Sequence, residues 1–267
     1  MQNDLNSIAE QLLIQQRKSW KILLLGDDCT DVYNYGTIDR LSPEAPVPVF
    51  VHKSQEVKRG MVGNVEENLK NLHCIVNTLS TTKSTKSRFI DSRSNQHIMR
   101  LDDDPKPMPI SLETAIPPIY DAVVISDYNK GTITYELVEE ILSSFPGPVF
   151  IDTKKTDLAR FGRAIIKINS DEFAKAKTLP DNANLIVTLG KYGAMWDQRK
   201  YSAPTIAVTD VCGAGDTFLA ALVVEYLNTR LLDSAIAYAI KAATVTVQKV
   251  GVYAPTPEEI DEINRIC

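Results

Sequence analysis

The chain has 267 residues, of which 44% are hydrophobic and 24% are charged, a composition typical of a globular α/β protein. Its formal net charge of -5 argues against nucleic acid or an anionic membrane as the main partner. We therefore expect a small-molecule partner.

The N-terminal segment predicts an amphipathic helix, because Leu5, Ile8, Leu12 and Gln16 recur at helical spacing. The segment has neither the apolar core nor the small-residue cleavage site of a secretory signal. No run of 18 apolar residues occurs, so we expect no membrane-spanning helix. Four scattered cysteines without a CxxC pair indicate a reducing compartment, and we expect a cytoplasmic location.

Short apolar runs alternate with helical patterns along most of the chain. Each run is typical of a strand buried on both faces, and the predicted strands cover residues 21–26, 121–126, 147–152, 164–169 and 184–190. Helices are predicted over residues 134–144 and 170–177. This order predicts a mostly parallel sheet with helices on both faces, in which ligands bind beyond the carboxyl ends of the strands.

Between residues 47 and 101 the pattern changes to half-exposed strands with interleaved polar residues. We expect a small β-sheet lid here, with strands within about residues 33–58 and 84–102. Only the helix over residues 62–72 is assigned to the main body in this region. No internal repeat or linker is visible, so we predict a single domain over residues 1–267.

The sequence DVCGAGDT, residues 210–217, precedes an apolar run with helical spacing. Its glycines leave backbone NH groups uncovered where the positive end of a helix dipole lies, which predicts an anion site at Gly213, Ala214 and Gly215. Two interpretations of Asp216 stay open. It is either the N-cap of the helix or the base that takes a proton from an alcohol during phosphoryl transfer.

The sequence AIIKINSDEF ends a strand with Asn169 and places Glu172 three residues later, which is typical of a capped helix start. This NxxE pair followed by DxxGAGD resembles the ribokinase (PfkB) family of carbohydrate kinases. The resemblance implies a ribokinase-like three-layer αβα sandwich that uses ATP and Mg²⁺. It also implies that Asn169 and Glu172 position the phosphates and the metal, Glu172 indirectly, and that Asp216 is the base beside the Gly213 to Gly215 anion hole.

Longer segments resemble the heptose 7-phosphate kinases of this family, which occur as one half of a bifunctional enzyme. They are GDDCTDVYNYGTIDRLSPEAPVPVF, TKSTKSRFIDSRSNQHIMRLDDD, DAVVISDYNKG and VGVYAPTPEEI. The resemblance implies phosphorylation of D-glycero-D-manno-heptose 7-phosphate to the 1,7-bisphosphate, a precursor step towards ADP-heptose and the lipopolysaccharide core. The HxGH motif of the other half is absent, so we expect a separate adenylyltransferase.

The same resemblance indicates residues that bind the sugar. Asp31 follows the first predicted strand, and an ionised carboxylate accepts hydrogen bonds from sugar hydroxyls. Gly60 and Asn64 allow the backbone to approach the sugar closely. Asp127 and Lys130 of SDYNKG follow a buried strand and are expected at the ligand edge. A loop acid at Asp31 and ordinary helix-start chemistry at Gly60 and Asn64 remain as alternatives.

Basic residues of the lid and a glycine turn complete the predicted site. Lys86, Arg88 and Arg100 are expected to bind the 7-phosphate, although exposed strands often carry such charges without a ligand. No Walker A loop occurs. The family's VTxGxxG motif, which borders the nucleotide, matches at Thr188, Gly190 and Gly193. A plain glycine turn is the alternative explanation of these residues.

The sequence departs from the family pattern at several places. Met61 stands where a second glycine is usual, and Cys212 replaces a threonine. Only residues 71–85 connect the Asn64 helix to the next lid strand, so a βα unit is missing. A kinase for another sugar or a nucleoside, and a non-catalytic sugar-phosphate binder, remain as alternatives. Because family members commonly pair through exposed lid edges, we expect a homodimer.

Overall fold

Two β-sheets and the helices around them form the framework of the protein. The structure is a computed structural model that describes residues 19–112, 116–180 and 184–263, so the helix predicted near the N-terminus lies outside the described residues. In chain order the elements are β1 (Lys21–Gly26), β2 (Asp28–Leu41), β3 (Pro48–Met61), α1 (Val62–Asn71), β4 (Ile75–Leu79), β5 (Lys83–Asp91), β6 (His97–Asp103), β7 (Ala122–Asp127), α2 (Tyr135–Ser144), β8 (Val149–Thr153), β9 (Ile165–Asn169), α3 (Ser170–Lys175), β10 (Leu185–Thr188), β11 (Ala194–Trp196), β12 (Arg199–Tyr201), α4 (Ala214–Thr229), α5 (Leu232–Thr246) and α6 (Pro257–Glu262).

The main sheet has eight strands in the order β12-β11-β10-β9-β8-β7-β1-β4. Six neighbouring strands are parallel, namely β4, β1, β7, β8, β9 and β10. The strands β11 and β12 add an antiparallel hairpin at one edge. Alternate residues of the strands point to opposite faces. Ile22 and Phe150 lie in the core covered by α1, α4 and α5, whereas Leu23 and Ile151 lie in the core covered by α2. The predicted three-layer αβα sandwich is confirmed.

The lid is a four-stranded sheet in the order β3-β2-β5-β6, with β2 and β5 parallel and the outer pairs antiparallel. Its first strand begins at Asp28, earlier than the sequence pattern indicated, and its second strand continues to Met61. The lid is thus joined directly to the main body at both ends of this hairpin, through β1 before it and α1 after it.

The strand β4 corrects the prediction that only a helix of this region belongs to the main body. It pairs in parallel with β1 at the sheet edge, and only residues 80–82 separate it from β5. Its residues alternate between exposed and half-buried, because nothing in the described chain pairs with its outer side. An edge strand of this kind lacks the continuous apolar run by which a central strand is recognised.

The strand order places the candidate chemistry at one edge of the main sheet. The chain passes from β1 to β4 on one side, while β7 to β10 are added on the other, so the order reverses between β1 and β7. Ligands bind at such a switch point, beyond the carboxyl ends of the strands. Among the described helices, none has the length and apolar character required to cross a bilayer.

Candidate functional site

A cavity of about 210 Å³ lies at the carboxyl ends of β7, β8 and β9 and at the start of α4. Acids, amines and glycines share its wall, in a mixture suited to a charged ligand rather than an apolar one. The lining residues are Asp127, Tyr128, Asp152, Lys154, Lys167, Asn169, Glu172, Gly213, Gly215 and Asp216.

The backbone conformation favours glycine at position 213, and close neighbours leave little room for a side chain at positions 213 and 215. Gly213 is the N-cap of α4 with φ of 77°, in the left-handed region, and a Cβ there would lie 2.9 Å from Nδ2 of Asn64. A Cβ on Gly215 would lie 3.1 Å from Nζ of Lys167. We call Gly213 to Gly215 the anion loop, since the first NH groups of a helix lack intrahelical acceptors and carry its positive dipole end.

Asp216 is the third residue of α4, so the interpretation of this residue as the N-cap is wrong. Its carboxylate is buried and accepts two hydrogen bonds. Nδ2 of Asn64 donates to Oδ2 at 2.6 Å, and the hydroxyl of Tyr128 donates to Oδ1 at 3.1 Å. Burial raises the pKa of Asp216 to about 6, and Asp152 adds to the rise, while Asn64, Lys167 and Tyr128 oppose it. Near neutral pH this group is ionised yet retains useful proton affinity.

Two ammonium groups face the same cavity. Lys167 is only 4% exposed, and its Nζ lies 2.5 Å from Oδ2 of Asp152. Burial acts to lower the pKa of Lys167, but the nearby carboxylates of Asp152, Asp216 and Glu172 together outweigh burial and the pKa is raised, so the ammonium stays charged. Nζ of Lys154 lies 4.6 Å from the centre of the Tyr128 ring. These charges and the anion loop together favour a phosphate-like ligand.

The NxxE pair both caps a helix and lines the cavity. The side chain of Asn169 accepts a hydrogen bond from the backbone NH of Glu172, and Glu172 accepts one from the backbone NH of Asn169, each at 2.8 Å. This capping box starts α3, as the sequence pattern indicated. Because both residues also line the cavity, the capped start and a ligand role are compatible.

The predicted nucleotide-bordering residues form a turn next to this pair. Thr188 ends β10 in register with Asn169. Gly190 and Gly193 have φ of 56° and 92°, and a Cβ on Gly193 would collide with the carbonyl oxygen of Tyr201. The plain glycine turn therefore accounts for these glycines, and all three residues lie outside the cavity lining.

The lid brings several predicted substrate residues together. Asp31 lies within β2 rather than in a loop, so the loop-acid alternative is wrong, and Nη1 of Arg88 lies 2.5 Å from its Oδ1. Lys86 is the register partner of Asp31 on β5. A Cβ on Gly60 would collide with Oδ2 of Asp31, so this glycine makes room for the carboxylate. Arg100 lies opposite Arg88 on the same sheet face but is 57% exposed.

The lid face that carries Asp31 and Arg88 is directed towards the anion loop. The pKa of the Cys212 thiol is raised by burial and by Asp210, and both lid residues act on it electrostatically. Lys58 is the register partner of Asp31 on β3. Its Nζ lies close to Gly251, at 3.7 Å from the position that a Cβ atom on this glycine would take. The predicted phosphate-binding set therefore has a fourth basic neighbour, Lys58, that the sequence pattern did not indicate.

Asp127, which lines the cavity, and Lys130, which is partly exposed, are each paired with an oppositely charged side chain. Asp127 is buried and lies 3.3 Å from Nζ of Lys155, and it accepts a hydrogen bond from the hydroxyl of Thr153 at 2.6 Å. Burial raises the pKa of Asp127. Nζ of Lys130 lies 2.6 Å from Oδ2 of Asp104. These contacts favour a supporting role for both residues.

Asp27 organises the loop between them. Its buried carboxylate accepts hydrogen bonds from the backbone NH groups of Tyr128 at 2.8 Å, Lys130 at 3.3 Å and Thr132 at 3.4 Å. Three donors from one loop fix that loop against the end of β1 and aim the Tyr128 side chain at Asp216.

Met61 stands where a second glycine is usual in the family, and its backbone adopts a conformation that favours glycine. It is the N-cap of α1 with φ of 51° and ψ of -125°, a conformation that glycine adopts far more readily. Such a residue costs of order 1 to 3 kcal/mol of backbone strain. The strained junction lies three residues before Asn64, at the point where the lid enters the main body.

Several residues at the cavity were not predicted, although the sequence contained a signal for one of them. Lys167 interrupts an otherwise apolar strand, and a buried lysine is rare unless it is paired. Tyr128, Asp152 and Lys154 lie beside predicted motifs, but their role depends on partners far away in sequence.

Comparison with known proteins shows that this chain is similar to carbohydrate kinases of one family. The model of the pfkB family carbohydrate kinases matches residues 159–259. The bifunctional protein HldE of a Nitratiruptor species is 34% identical over 304 residues, covering 92% of this chain and 65% of that protein. HldE of Helicobacter pylori is 31% identical over 304 residues, covering 90% and 65%. The chain thus spans 65% of the length of these relatives. Because the alignments are longer than the chain itself, the relatives contain segments that this chain lacks.

Solved structures share the fold. Ribokinase from Thermotoga maritima has a TM-score of 0.68 at 15% identity, covering 92% of this chain and 99% of that one. Arabidopsis thaliana ribokinase, complexed with ribose and ATP, has a TM-score of 0.65 at 14% identity, with 92% and 99% covered. These likenesses establish a ribokinase-like fold.

The raised pKa of Asp216 predicts how stability depends on pH. The carboxyl group of Asp216 binds a proton more tightly in the folded protein than in the unfolded chain, where its pKa is the ordinary 3.8. The protonated group therefore stabilises the folded state below pH 4, and this stabilisation is lost as the pH rises through about 6. We expect Asp216→Asn to be more stable than the wild type at pH 8, by up to about 3 kcal/mol, and similar to it at pH 4. Urea unfolding at both values measures the difference.

The exposed acid Asp39 provides the control, since Asp39→Asn should give a small difference at both values of pH. An Asp216→Asn difference that stays constant between pH 4 and pH 8 contradicts the raised pKa.

Proposed function

We propose that the chain, whose residues 159–259 match the model of the pfkB family carbohydrate kinases, transfers the γ-phosphoryl group of ATP to a hydroxyl of a sugar phosphate. The proposed substrate is D-glycero-D-manno-heptose 7-phosphate, and the product is the 1,7-bisphosphate. The observation that carries the proposal is the buried Asp216 carboxylate beside the anion loop. The heptose assignment is supported by the lid motifs and by 34% identity to an HldE protein.

Asp216 acts as the base in the proposed reaction. Its pKa of about 6 leaves it ionised at neutral pH, and the attacking hydroxyl gives its proton to the carboxylate as the new P–O bond forms. Asn64 and Tyr128 each hold one carboxylate oxygen, and both oxygens keep a further lone pair for the substrate. Positioned bases of this kind typically contribute about 10² to 10⁴-fold in rate.

The anion loop and Lys167 receive the transferring phosphoryl group. Backbone NH groups and an ammonium already fixed before the reaction stabilise the developing negative charge without reorganisation. Lys167 is held by Asp152, so its charge is in place before ATP binds. Lys154 adds a second ammonium at the cavity wall. In this proposal the nucleotide extends beyond the cavity to the turn that contains Thr188, Gly190 and Gly193, since Thr188 is in register with Asn169.

The donors at the cavity fit a magnesium ion that is held mainly by phosphate oxygens and water. The described residues contain no cluster of three metal-binding side chains, and Mg²⁺ commonly needs only one or two carboxylates when phosphates supply other ligands. Glu172 uses Oε2 in its capping box, which leaves Oε1 for a water-mediated contact. Bound there, the ion would neutralise charge on the ATP phosphates.

The lid binds the sugar phosphate in the proposed complex. Asp31 accepts hydrogen bonds from sugar hydroxyls, and Gly60 leaves room for its carboxylate. Lys86, Arg88 and Arg100 share one lid face and bind the 7-phosphate. Arg88 is bonded to Asp31, so the phosphate and hydroxyl contacts are coupled.

The proposal includes a cellular setting. The cysteines Cys29, Cys74 and Cys212 are free thiols, which is compatible with a reducing cytoplasm. In the heptose pathway the product is then the substrate of an adenylyltransferase.

Phosphorylated sugars should be the preferred substrates. In an ATP-consumption screen across sugar phosphates and their dephosphorylated forms, we expect turnover of heptose 7-phosphate to exceed that of free heptose. Lys86→Ala should raise KM for the phosphorylated sugar roughly ten- to a hundredfold, because it removes a charge-assisted bond worth about 1.5 to 3 kcal/mol. Lys83 lies on the same strand but on the opposite face, so Lys83→Ala is the matched control. Equal turnover of the two forms of the sugar would exclude this substrate class.

Asp216→Asn should lower kcat by about 10² to 10⁴-fold, because asparagine preserves the size and hydrogen bonds of the residue but cannot accept the proton. ATP affinity should change little, since the anion loop and lysines are intact. Steady-state kinetics and a fluorescent-ATP titration measure the two quantities. A near-wild-type kcat for this variant would remove Asp216 from the mechanism.

We also propose that the protein is a homodimer formed through the lids. Val57, Met99 and Leu101 are 58%, 53% and 57% exposed and share the lid face opposite Asp31 and Arg88. Such an apolar face between unpaired sheet edges favours association. Light scattering at micromolar concentration should give twice the mass of the chain, and Leu101→Asp should halve it. A wild-type monomer with full activity refutes the dimer.

A further inference from the structure

Tyr128 is placed where it can control the proposed base. Its hydroxyl donates to Oδ1 of Asp216 at 3.1 Å, while Asn64 occupies Oδ2 from the opposite side. We infer that Tyr128 is a positioning residue that orients the Asp216 carboxylate and sets the pH at which it becomes an active base. This inference rests on the proposed function.

Two further contacts fix the position of Tyr128, one through its backbone and one through its ring. The backbone NH of Tyr128 donates to Oδ2 of Asp27 at 2.8 Å, which fixes the start of the side chain. The ammonium of Lys154 lies 4.6 Å from the ring centre, within the range of a cation–π interaction. A side chain that is fixed in this way loses little further freedom when it donates to Asp216.

The hydroxyl remains a donor throughout the working range of pH. Burial raises the pKa of Tyr128 well above its ordinary value, and the negative charge of Asp216 raises it further. A deprotonated phenol beside a buried carboxylate is therefore excluded near neutral pH. Since only the ionised carboxylate accepts this bond fully, the bond favours ionisation of Asp216.

Charged and polar groups from every neighbouring element act on Asp216. Asn64 reaches it from α1, Asp152 from β8, Lys167 from β9 and Tyr128 from the loop after β7. Among these, Asp152 opposes ionisation and the other three favour it. Removal of the phenol hydroxyl leaves the two charged neighbours and Asn64 unchanged, so its effect is separable from theirs.

The test is the pH profile of kcat/KM for the sugar phosphate in Tyr128→Phe. Phenylalanine keeps the ring under Lys154 and removes only the hydroxyl. We expect the acidic limb to move to higher pH by roughly one unit, with several-fold lower activity at pH 6 and little change at pH 8 or in KM for ATP. An unmoved acidic limb overturns the inference.

The matched control is Tyr201→Phe. The Tyr201 hydroxyl also donates to a carboxylate, Oδ1 of Asp233 at 2.6 Å, but on β12 and outside the cavity lining. Its removal should leave the pH profile in place. A shift of equal size in this control would also overturn the inference, since the effect would then be general.

A second variant keeps the inference testable if phenylalanine impairs folding. Site-specific 3-fluorotyrosine at position 128 is nearly isosteric and a stronger hydrogen-bond donor, so the acidic limb should move to lower pH. A purely structural tyrosine gives no such opposite shift. If the wild type turns over no sugar phosphate in the screen, the proposed function fails; if it does and neither variant moves the limb, only the role of Tyr128 fails.

Discussion

The burial of one carboxylate at the start of α4 is the constraint on which the rest of the site depends. An isolated buried charge is costly, so Asp216 requires donors on both oxygens and a positive environment. Asn64 supplies one donor from α1 and Tyr128 supplies the other from the loop after β7. Because these partners come from distant parts of the chain, the carboxylate ties the sheet edge, the lid junction and α4 into one unit.

Two buried ammonium groups near the cavity are paired with carboxylates, which reduces the cost of burying their charges. Lys167 is held by Asp152, and Lys155 is held by Asp127. Buried pairs contribute little net stability, but loss of one partner is costly, so each charge stays where it is placed. The consequence is a cavity whose ammonium groups are fixed before any ligand enters, as electrostatic preorganisation requires.

The lid is connected to the candidate site by a short stretch of backbone. The strand β3 passes through the strained residue Met61 into α1, where Asn64 contacts Asp216. The amide that holds the proposed base therefore lies three residues after the end of the lid.

The sequence by itself determined the layered α/β architecture, the central strands and the anion loop, because apolar runs and glycine spacing are local signals that survive in any context. It also indicated that Glu172 and Asp216 belong to two motifs of one family. The edge strand β4, the long lid strand that contains Asp31, and the choice of Gly213 over Asp216 as N-cap were decided only in three dimensions. So were the contacts of Tyr128 and Lys167, because each depends on a partner that the fold brings from far along the chain. Which strand lies at a sheet edge, and which distant residues come into contact, are properties of the assembled fold that a local pattern of residues does not encode.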